Sequence, residues 1–585
     1  MWRFLGRVIS TALGILLFWV IVIWLLSMAS NKPKFELSDN SVLKIKLDRE
    51  IVERETENPF NDFWDESFGN PSKMGLLELK TALKVASKES KIKAVWLEIN
   101  SLNSGFGIAN ELREALLEYK TSGKPLVVYS DYMSEGAYFL ASVADKIYIT
   151  PTGLLEFNGF SYEVLFFKGT LDKLDIKPEV FKAGQYKSAV EPLLLDKMSE
   201  PNKEQTLSFM NSLQEHIYDK IAASRGLSVQ KLKNIADSLS IRNPKDAEKA
   251  SLITKAGYAD ELLSVLSENI AIKTSEINWV SYKKVAELSP KSKSKNKIVV
   301  IVASGDINTG KGKENESIGS DKVCEQLAKC RADESVKAVV LRINSPGGSV
   351  IASDNMWREI MLTKKVKPVV ASMSDMAASG GYYMAMPCNK IVAQPTTITG
   401  SIGVFGVWFN AKDFLKNKLG VTSDRVKTGK YADLGMPTKD LTPFERQVIQ
   451  NEVDNTYKDF VSKAASGRNV TFEKIEKHAS GRVWTGMQAK EIGLIDELGG
   501  LDKAVEIASQ LSKTADFELS YLPKKVDFFE SFTKKFTGGN DDMEEEMEEK
   551  IKAELGELHP YFTYLKKLKK MEGVQAVLPF EIIIK

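Results

Sequence analysis

The sequence of 585 residues is poor in histidine and cysteine. The three histidines are His216, His478 and His559, and the three cysteines are Cys324, Cys330 and Cys388. Cysteines this few, and odd in number, exclude a disulfide framework. None of the histidines lies in a Gly-rich or apolar motif, which argues against a Ser-His-Asp triad and against a His-rich metal site.

An excess of charge of either sign is also missing. The formal net charge of +2 is too small to indicate nucleic acid as a partner. Neither half contains a G-x-G-x-x-G fingerprint, and we expect no cofactor and no metal. The sequence does have 43% hydrophobic and 27% charged residues, which is the balance of a folded protein. Its length is too great for one ordinary core, so we predict two or more domains.

One long hydrophobic run is present, from Val8 to Met28. It is uncharged and long enough to span a bilayer as a helix. Arg3 and Arg7 precede it, so we expect residues 1–7 to stay in the cytoplasm and the rest of the chain to be exported. A cleaved signal peptide is the alternative, because Ser27-Met28-Ala29 resembles a cleavage site. The run is longer than such signals, which favours a retained transmembrane anchor.

The chain repeats itself over a long period. Lys93–Ser101 matches Lys337–Ser345 at an offset of 337 − 93 = 244, and Lys182–Lys187 matches Lys427–Ala432 at an offset of 427 − 182 = 245. A period of this length indicates two copies of a whole domain. In each copy, short β-branched runs alternate with helical patterns. This alternation predicts an α/β fold with repeated βαβ units and a mostly parallel sheet in each half.

These boundaries predict several parts after the anchor. They are an N-terminal repeat domain at 40–288, a charged linker at 289–297, a C-terminal repeat domain at 298–512 and a C-terminal extension at 513–585. Within the extension, Asp541–Lys550 is an acidic helical stretch that we interpret as a solvated face or a mobile insertion. The aromatic polar loop Asn58–Phe68 could contact lipid or another subunit, but we expect it to cover its own core.

The stretch Asp375-Met-Ala-Ala-Ser-Gly-Gly-Tyr-Tyr383 follows the apolar run Pro368–Ser372, which we predict to be a buried strand. A helix is predicted to follow. A serine beside a Gly-Gly pair at a tight strand-to-helix turn has an exposed hydroxyl with backbone N–H groups next to it. Ser379 is therefore the candidate nucleophile. A plain turn or a helix N-cap would have the same composition.

The two copies differ at two positions that carry reactive groups. Ser379 lies opposite Glu135 at the offset of 244, and Lys187 lies opposite Ala432 at the offset of 245. Each half keeps one reactive group, which indicates a Ser-Lys dyad assembled across the two domains. A buried neutral lysine amine can remove a serine proton. Considered alone, Lys187 would be a solvated surface lysine. Ser401, in a loop that could also be a plain turn, is a candidate hydrogen-bond partner of the lysine amine.

Asn344-Ser-Pro-Gly-Gly-Ser349 ends a predicted strand and precedes a helix. The backbone N–H groups of Gly347 or Gly348, joined by that of Gly380, are the candidate oxyanion hole for acyl transfer. A Gly-Gly loop before a helix could instead bind phosphate, although no Walker lysine follows it here.

Several separate motifs resemble those of the signal peptide peptidase A family, also called protease IV, in its long duplicated bacterial form. The motifs are Gly184-Gln-Tyr-Lys-Ser-Ala-Val-Glu-Pro192, Ser345-Pro-Gly-Gly348, Ala378-Ser-Gly-Gly-Tyr382, Thr399-Gly-Ser-Ile-Gly-Val404 and Gly481-Arg-Val-Trp-Thr-Gly486. The resemblance runs from the apolar run to about Leu511. Gln185 departs from an expected lysine and Leu193 from an expected aromatic residue, and neither change removes a candidate catalytic group.

The resemblance implies a fold, a chemistry and a setting. The fold would be two tandem Clp protease/crotonase-like domains. Ser379 would be the nucleophile, Lys187 the general base and Ser401 the residue that orients the lysine. The protein would be a serine endopeptidase that degrades remnant signal peptides after export. It would be a single-pass protein of the bacterial cytoplasmic (inner) membrane, with its catalytic domains on the periplasmic side. Its partners would be apolar signal peptides, the membrane and further copies of itself in a tetramer.

Two other functions remain open at the level of the sequence. A crotonase-type enzyme would act on a CoA thioester through the oxyanion hole alone, but it would not explain the retained serine and lysine. A non-catalytic membrane scaffold would keep the duplicated fold for assembly, and Lys187→Ala would then leave its function unchanged. The sequence also leaves open whether the dyad closes within one chain or between neighbouring chains.

Overall fold

A computed structural model describes residue 14 and residues 35–55, 73–290, 292–524 and 573–577. Apart from Gly14, the predicted anchor Val8–Met28 lies outside the described residues, as do the loop Asn58–Phe68 and the acidic stretch Asp541–Lys550. Among the helices within the described ranges, none is both long enough and apolar enough to cross a membrane.

The first half of the chain contributes alternating strands and helices. The strands are β1 (Ser41–Leu47), β2 (Ile51–Val52), β3 (Met74–Gly75), β4 (Ile92–Ile99), β5 (Leu126–Met133), β6 (Lys146–Leu155), β7 (Lys177–Ala183), β8 (Lys255–Ala256) and β9 (Asn278–Ser281). The helices are α1 (Leu76–Lys88), α2 (Phe106–Lys120), α3 (Glu135–Ala141), α4 (Lys168–Lys173), α5 (Glu191–Leu194), α6 (Glu200–Arg225), α7 (Val229–Asp237), α8 (Pro244–Lys249), α9 (Ala259–Ile270) and α10 (Tyr282–Glu287), with a 3₁₀ turn at Thr274–Glu276.

Six of these strands form a parallel sheet in the order β8-β6-β5-β4-β1-β9. Helices α1, α2 and α6 share one core with the sheet, and α9 packs on the opposite face against strands β1, β4 and β5. Both faces of the central strands are therefore buried, which is why β4 and β5 are rich in Val, Leu and Ile rather than strictly alternating.

The second half repeats this arrangement. Its strands are β10 (Lys297–Ser304), β11 (Asp306–Asn308), β12 (Gly312–Lys313), β13 (Ser317–Gly319), β14 (Val336–Ser345), β15 (Gly347–Ser349), β16 (Val369–Ala378), β17 (Lys390–Ala393), β18 (Ile398–Gly400), β19 (Val404–Asn410), β20 (Val483–Thr485), β21 (Glu497–Leu498), β22 (Glu518–Leu522) and β23 (Gly573–Val577). Its helices are α11 (Ser320–Ala332), α12 (Val350–Lys364), α13 (Gly380–Ala385), α14 (Lys412–Leu419), α15 (Pro443–Arg468), α16 (Phe472–Glu476), α17 (Gly486–Glu491) and α18 (Leu501–Ser512).

The second sheet has the order β20-β18-β16-β14-β10-β22, with β17 beside β16 and β21 beside β17. All of its pairs are parallel except β18 with β20. Helix α18 covers one face, and α11, α12 and α15 cover the other. The prediction of two tandem α/β repeats is thus confirmed. Strand β22, from the predicted C-terminal extension, pairs with β10 at the edge of this sheet.

A third, mixed sheet joins the two halves, in the order β12-β13-β11-β15-β23-β19-β7. Strand β7 of the first half runs antiparallel to β19 of the second half. In this register Ala183 is opposite Val404, and Lys177 is opposite Asn410. The loop that leaves β7 is therefore brought to the loop that enters β19.

A buried ionic cluster also joins the halves. The Arg342 guanidinium, on β14, lies 2.6 Å from a carboxylate oxygen of Glu53 and 2.6 Å from one of Glu111, both in the first half. Burial alone would raise the pKa of Glu111, but Arg342 and then Lys80 outweigh it and lower that pKa to about 2. The Arg342 side chain is 1% exposed. The guanidinium also donates hydrogen bonds to the Ser372 and Ser374 hydroxyls and to the Met373 carbonyl oxygen.

Candidate active site

Ser379 lies at the junction between β16 and α13, as the sequence predicts. Its backbone has φ 54° and ψ −114°, a conformation that costs a non-glycine residue energy. Two backbone hydrogen bonds hold it there. The Ser379 N–H donates to the Gly400 carbonyl at 2.8 Å, and the Ser379 carbonyl accepts from the Tyr383 N–H at 2.9 Å. The Ser379 side chain makes no capping hydrogen bond to α13.

Lys187 lies in the loop that follows β7. This loop packs closely on the backbone of the second half, because the Tyr186 N–H donates to the Ser480 carbonyl at 2.9 Å. Glycines make the approach possible. A Cβ on Gly184 would lie 2.5 Å from the Ser480 carbonyl oxygen, and a Cβ on Gly481 would lie 2.7 Å from the Lys187 Cβ. Both glycines also have positive φ, at 110° and 78°.

The two predicted reactive groups meet within one chain. The Lys187 Nζ lies 2.8 Å from the Ser379 Oγ. It also lies 3.0 Å from the Ser401 Oγ and 3.3 Å from the Ser401 carbonyl oxygen. All three residues are 0% exposed. The lysine amine is therefore held between the two serines by hydrogen bonds in a water-poor environment.

Electrostatics favour the neutral form of this lysine. Burial lowers the pKa of Lys187 well below its ordinary value. No carboxylate of the described residues lies within ion-pair distance of its Nζ, so no negative charge offsets the cost of burying an ammonium group. A neutral amine has a lone pair that can accept the serine proton.

The three glycines predicted as oxyanion donors lie beside the dyad. The backbones of Gly348 and Gly380 lie close together, since a Cβ on Gly380 would lie 3.1 Å from the Gly348 N. The Gly347 N–H instead donates to the Ser345 Oγ at 3.2 Å. Gly347 has φ 107°, and a Cβ there would lie 2.8 Å from the Gly380 N. The role of these glycines stays a prediction.

Asp375 is a residue of this region whose position the sequence analysis did not explain. It is four residues before the candidate nucleophile, and its carboxylate accepts the N–H of Ile108 at 2.7 Å and that of Gly105 at 3.3 Å. It thus caps helix α2 of the other repeat. Burial raises the pKa of Asp375 to about 6. An Asp near the end of a buried strand is visible in the sequence as a candidate functional residue. Its partner, the start of α2 in the other repeat, is not.

The first repeat has a different network at the position of the nucleophile. Glu135, the counterpart of Ser379, is buried and accepts the N–H groups of Asn158 and Gly159 at 2.9 and 2.8 Å. It also accepts the Tyr218 hydroxyl at 2.8 Å. Both oxygens of the carboxylate therefore have hydrogen-bond partners. Ala432, the counterpart of Lys187, lies in an exposed loop after α14.

The histidines have partners other than the dyad or lie outside the described residues. His216 is within 3.2 Å of the Asn110 side chain, and burial lowers its pKa to about 4. His478 packs against Trp484, and His559 is outside the described residues. In the part of the chain that the structure covers, no group of three or more His, Cys, Asp or Glu side chains is arranged to hold a metal ion.

Comparison with known proteins matches both repeats. The family model "Peptidase family S49" matches residues 118–273 and 361–515, and the model "Clp protease" matches residues 291–418. Protease 4 of Salmonella typhi is 33% identical over 92% of this chain and 89% of its own. The chloroplastic serine protease SPPA of Arabidopsis thaliana is 34% identical over 75% of this chain and 66% of its own. A putative signal peptide peptidase SppA of Enterococcus faecium is 34% identical over 46% of this chain and 75% of its own.

The fold and the matches agree with one another. The S49 model is found once in each half, as expected for a duplicated domain. The Clp protease match covers the strands and helices that lead to the Ser379 turn and the loop of Ser401. The chain therefore belongs to peptidase family S49, and it is a serine protease built from two tandem Clp protease-like α/β repeats.

Proposed function

We propose that this chain is a membrane-anchored serine endopeptidase in which Ser379 is the nucleophile and Lys187 the general base. The observation that carries the proposal is the 2.8 Å separation of the Lys187 Nζ and the Ser379 Oγ, with both residues fully buried. The two groups come from different repeats, so each repeat alone would be inactive. Histidine is not needed, because burial lowers the pKa of Lys187.

The reaction proceeds in two stages. In the first, the Ser379 Oγ attacks the carbonyl carbon of the substrate, and the neutral Lys187 amine takes the hydroxyl proton. The tetrahedral intermediate collapses, and Lys187 gives this proton to the leaving amine. In the second stage Lys187 removes a proton from water, which attacks the acyl-Ser379 ester. The acid is released and the proton returns to the Ser379 Oγ.

Two further features support this chemistry. The Ser401 Oγ, 3.0 Å from the Lys187 Nζ, keeps the amine directed at Ser379 and accepts one of its hydrogens. The neighbouring backbone amides of Gly348 and Gly380 support an oxyanion hole beside Ser379. Preorganised donors of this kind each contribute about 10²–10³ in rate to acyl transfer.

The setting that we propose rests on the sequence and on the relatives. The apolar run Val8–Met28, with Arg3 and Arg7 before it, supports a single-pass anchor in the bacterial inner membrane with the repeats in the periplasm. The name of the Enterococcus faecium relative supports signal peptides as substrates, and the family resemblance favours the remnants left after export. A homotetramer is the assembly that the family resemblance favours. No cofactor is required by the steps above.

The test is peptide hydrolysis by purified wild type, Ser379→Ala and Lys187→Ala. An apolar reporter peptide gives the rate, and intact mass after treatment with an active-site-directed serine inhibitor gives the adduct. We expect wild type to cleave and to carry the adduct on Ser379, and both variants to lose at least about 10³-fold in kcat/KM. Ser401→Ala should lose about 10- to 100-fold, because Lys187 keeps its contact with the Ser401 carbonyl oxygen.

Lys182→Ala is the matched control. Lys182 lies on β7, close to Lys187 in sequence, but its side chain is exposed. It should retain the wild-type rate. Near-normal activity of Lys187→Ala would show that the base is another group. A wild type that neither cleaves nor takes the adduct across several apolar peptides would favour a scaffold.

A further inference from the structure

The loop that carries Lys187 is held from the inside by a side chain of its own repeat. Gln205 lies on α6 and is 0% exposed. Its amide nitrogen lies 3.0 Å from the Tyr186 carbonyl oxygen and 2.9 Å from the Ser188 Oγ. These two acceptors belong to the residues directly before and after Lys187. One amide therefore fixes the chain on both sides of the candidate base.

The same side chain also contacts the second repeat. The Gln205 Oε1 accepts the Val483 N–H at 3.2 Å. Val483 is on β20, where it is opposite Gly400 of β18. The Gly400 carbonyl in turn accepts the Ser379 N–H at 2.8 Å. Gln205 thus joins the lysine loop to the pair of strands that hold the candidate nucleophile.

The surroundings of Gln205 match an amide and no other side chain of its size. The NH₂ group faces three acceptors, since the Asn202 Oδ1 lies 3.2 Å away in addition to the two beside Lys187. The oxygen faces a backbone N–H. A carboxylate has no hydrogen to donate, and a methionine neither donates nor accepts strongly. Replacing this buried amide would leave several polar groups without their partner.

A second contact holds the outer side of the same loop without Gln205. The Arg482 guanidinium lies 4.9 Å from the centre of the Tyr186 ring. The Arg482 carbonyl also accepts the Ser401 N–H at 2.7 Å. This contact remains when the Gln205 amide is removed. We therefore expect such a variant to keep the loop in place as a whole and to lose the exact position of the lysine within it.

The duplication associates this amide with the lysine. Helices α6 and α15 both have 26 residues, and their first residues differ by 443 − 200 = 243. At this offset Gln205 lies opposite Val448, which is 40% exposed. The second repeat has Ala432 at the position of Lys187 and has no amide at the position of Gln205. Both groups are present in one repeat and both are missing from the other.

We propose that Gln205 is a positioning residue of the peptidase, whose amide aligns the Lys187 amine with the Ser379 hydroxyl by holding the lysine loop on the strands of the second repeat. This inference rests on the proposed function. Gln205 acts through Lys187, because none of its hydrogen bonds goes to Ser379, Lys187 Nζ or Ser401. A displacement of about 1 Å at the reacting groups costs about 10²-fold in rate.

Gln205→Met tests the proposal in the full chain, purified in detergent. Methionine has a similar length and removes the hydrogen bonds. With the apolar reporter peptide, kcat should fall by about 10- to 100-fold while KM stays near the wild-type value.

The pH profile gives a second readout. The pH midpoint of kcat/KM should move to higher pH, because water that enters the loosened site stabilises the ammonium form of Lys187. The charged groups that border this segment, Glu191, Glu204 and Arg482, are the same in the variant and in wild type. A purely structural role would not move this midpoint.

Val448→Met is the matched control, because it puts the same side chain at the counterpart position. It should keep the wild-type kcat and pH midpoint. A wild-type kcat in Gln205→Met, with Lys187→Ala inactive, overturns this inference and leaves the proposed function intact. An active Lys187→Ala overturns both. A loss in Gln205→Met that appears mainly in KM, or that leaves the pH midpoint unmoved, also contradicts a positioning role.

Ser188→Ala keeps the test valid if Gln205→Met does not fold. It removes one acceptor of the amide and nothing larger, so kcat should fall by about 3- to 10-fold and the midpoint should move in the same direction. The double variant should lose no more than Gln205→Met alone, because both changes remove the same contact. A Ser188→Ala variant that matches wild type in kcat and midpoint, or losses that simply add in the double variant, would overturn the inference.

Discussion

Ala183, at the end of β7, is paired with Val404, at the start of β19. The loop after Ala183 contains Lys187, and the loop before Val404 contains Ser401. One antiparallel register between the repeats therefore sets where the lysine lies. A shift of this register by one residue would turn every side chain of β7 to the other face of the sheet. The site accordingly depends on the pairing of the two repeats and could not form in either alone.

The first prediction concerns pH. Because burial lowers the pKa of Lys187, kcat/KM should be low where the amine is protonated, should rise with pH through that lowered pKa, and should then stay level. The rate rises with pH because the neutral amine is the form that accepts the proton. The measurement is a pH profile of reporter hydrolysis by wild type. A rate that falls steadily as the pH rises would contradict a lysine base.

Lys187→Arg and Lys187→Met complete this prediction. A guanidinium stays charged at every working pH and cannot act as the base, so Lys187→Arg should lose about 10³-fold or more at all pH values. Lys187→Met removes the charge and keeps a side chain of similar length. It should be equally inactive and should remain folded by circular dichroism. Activity in either variant that returns at high pH would point to another base.

The second prediction concerns Gly347. A Cβ at this position would lie 2.8 Å from the Gly380 N, a candidate oxyanion donor, so Gly347→Ala should lower kcat/KM by about 10²-fold or more. Gly310→Ala is the control, because Gly310 also has positive φ, at 87°, but has no atom within 4 Å of its Cβ position. Both variants carry backbone strain, of about 1 kcal/mol. Equal activities in the two would mean that strain alone explains the effect.

The predictions from the sequence agree most closely with the structure where neighbouring residues determine the backbone conformation. The strand-to-helix turn at Ser379 was predictable because small residues and a Gly-Gly pair permit the tight turn that bulkier residues disfavour. Lys187 was predictable only by comparing the two repeats, since a lone lysine in a loop carries no signal. The complementary positions Glu135 and Ala432 made that comparison possible.

Contacts between distant segments were not predictable. Arg342 interrupts the apolar middle of β14, and this departure from the pattern was the one sign of a buried charge. Its partners Glu53 and Glu111 lie hundreds of residues away, and no local periodicity identifies them. Strand β23 was missed for the same reason. A short segment that is held by backbone pairing needs no particular residue types, so its sequence does not identify its partners.

The third prediction concerns the buried ionic cluster around Arg342. Arg342→Leu removes the cation that compensates the buried carboxylates of Glu53 and Glu111, so the free energy of unfolding should fall by about 3–5 kcal/mol. The duplication supplies the control. Glu98 is the counterpart of Arg342 at the offset of 244, and its ion pair with Lys44 is partly exposed. Glu98→Gln should cost about 1 kcal/mol or less in urea unfolding. Similar losses in both variants would show that the cluster does not couple the repeats.

The last prediction concerns Asp375, whose pKa is raised from 3.8 to about 6, chiefly by burial. A carboxyl whose pKa is higher in the folded state favours folding while it is protonated, and this contribution is lost as the pH rises through about 6. Between pH 4 and 7 the loss is roughly 2 kcal/mol. Asp375→Asn cannot ionise, so its stability should depend less on pH. Relative to wild type, the variant should gain stability from pH 4.5 to pH 7.5 in urea unfolding.

Asp131, the counterpart of Asp375 in the first repeat, is the matched control because it is exposed. Asp131→Asn should follow the wild-type dependence on pH throughout. If Asp375→Asn and Asp131→Asn both parallel wild type, then the carboxyl that caps α2 is ionised without cost in the folded protein. In that case the bonds from Ile108 and Gly105 would outweigh burial. A difference confined to Asp375→Asn would instead tie the stability of the contact between the repeats to the protonation of a residue four positions from the nucleophile.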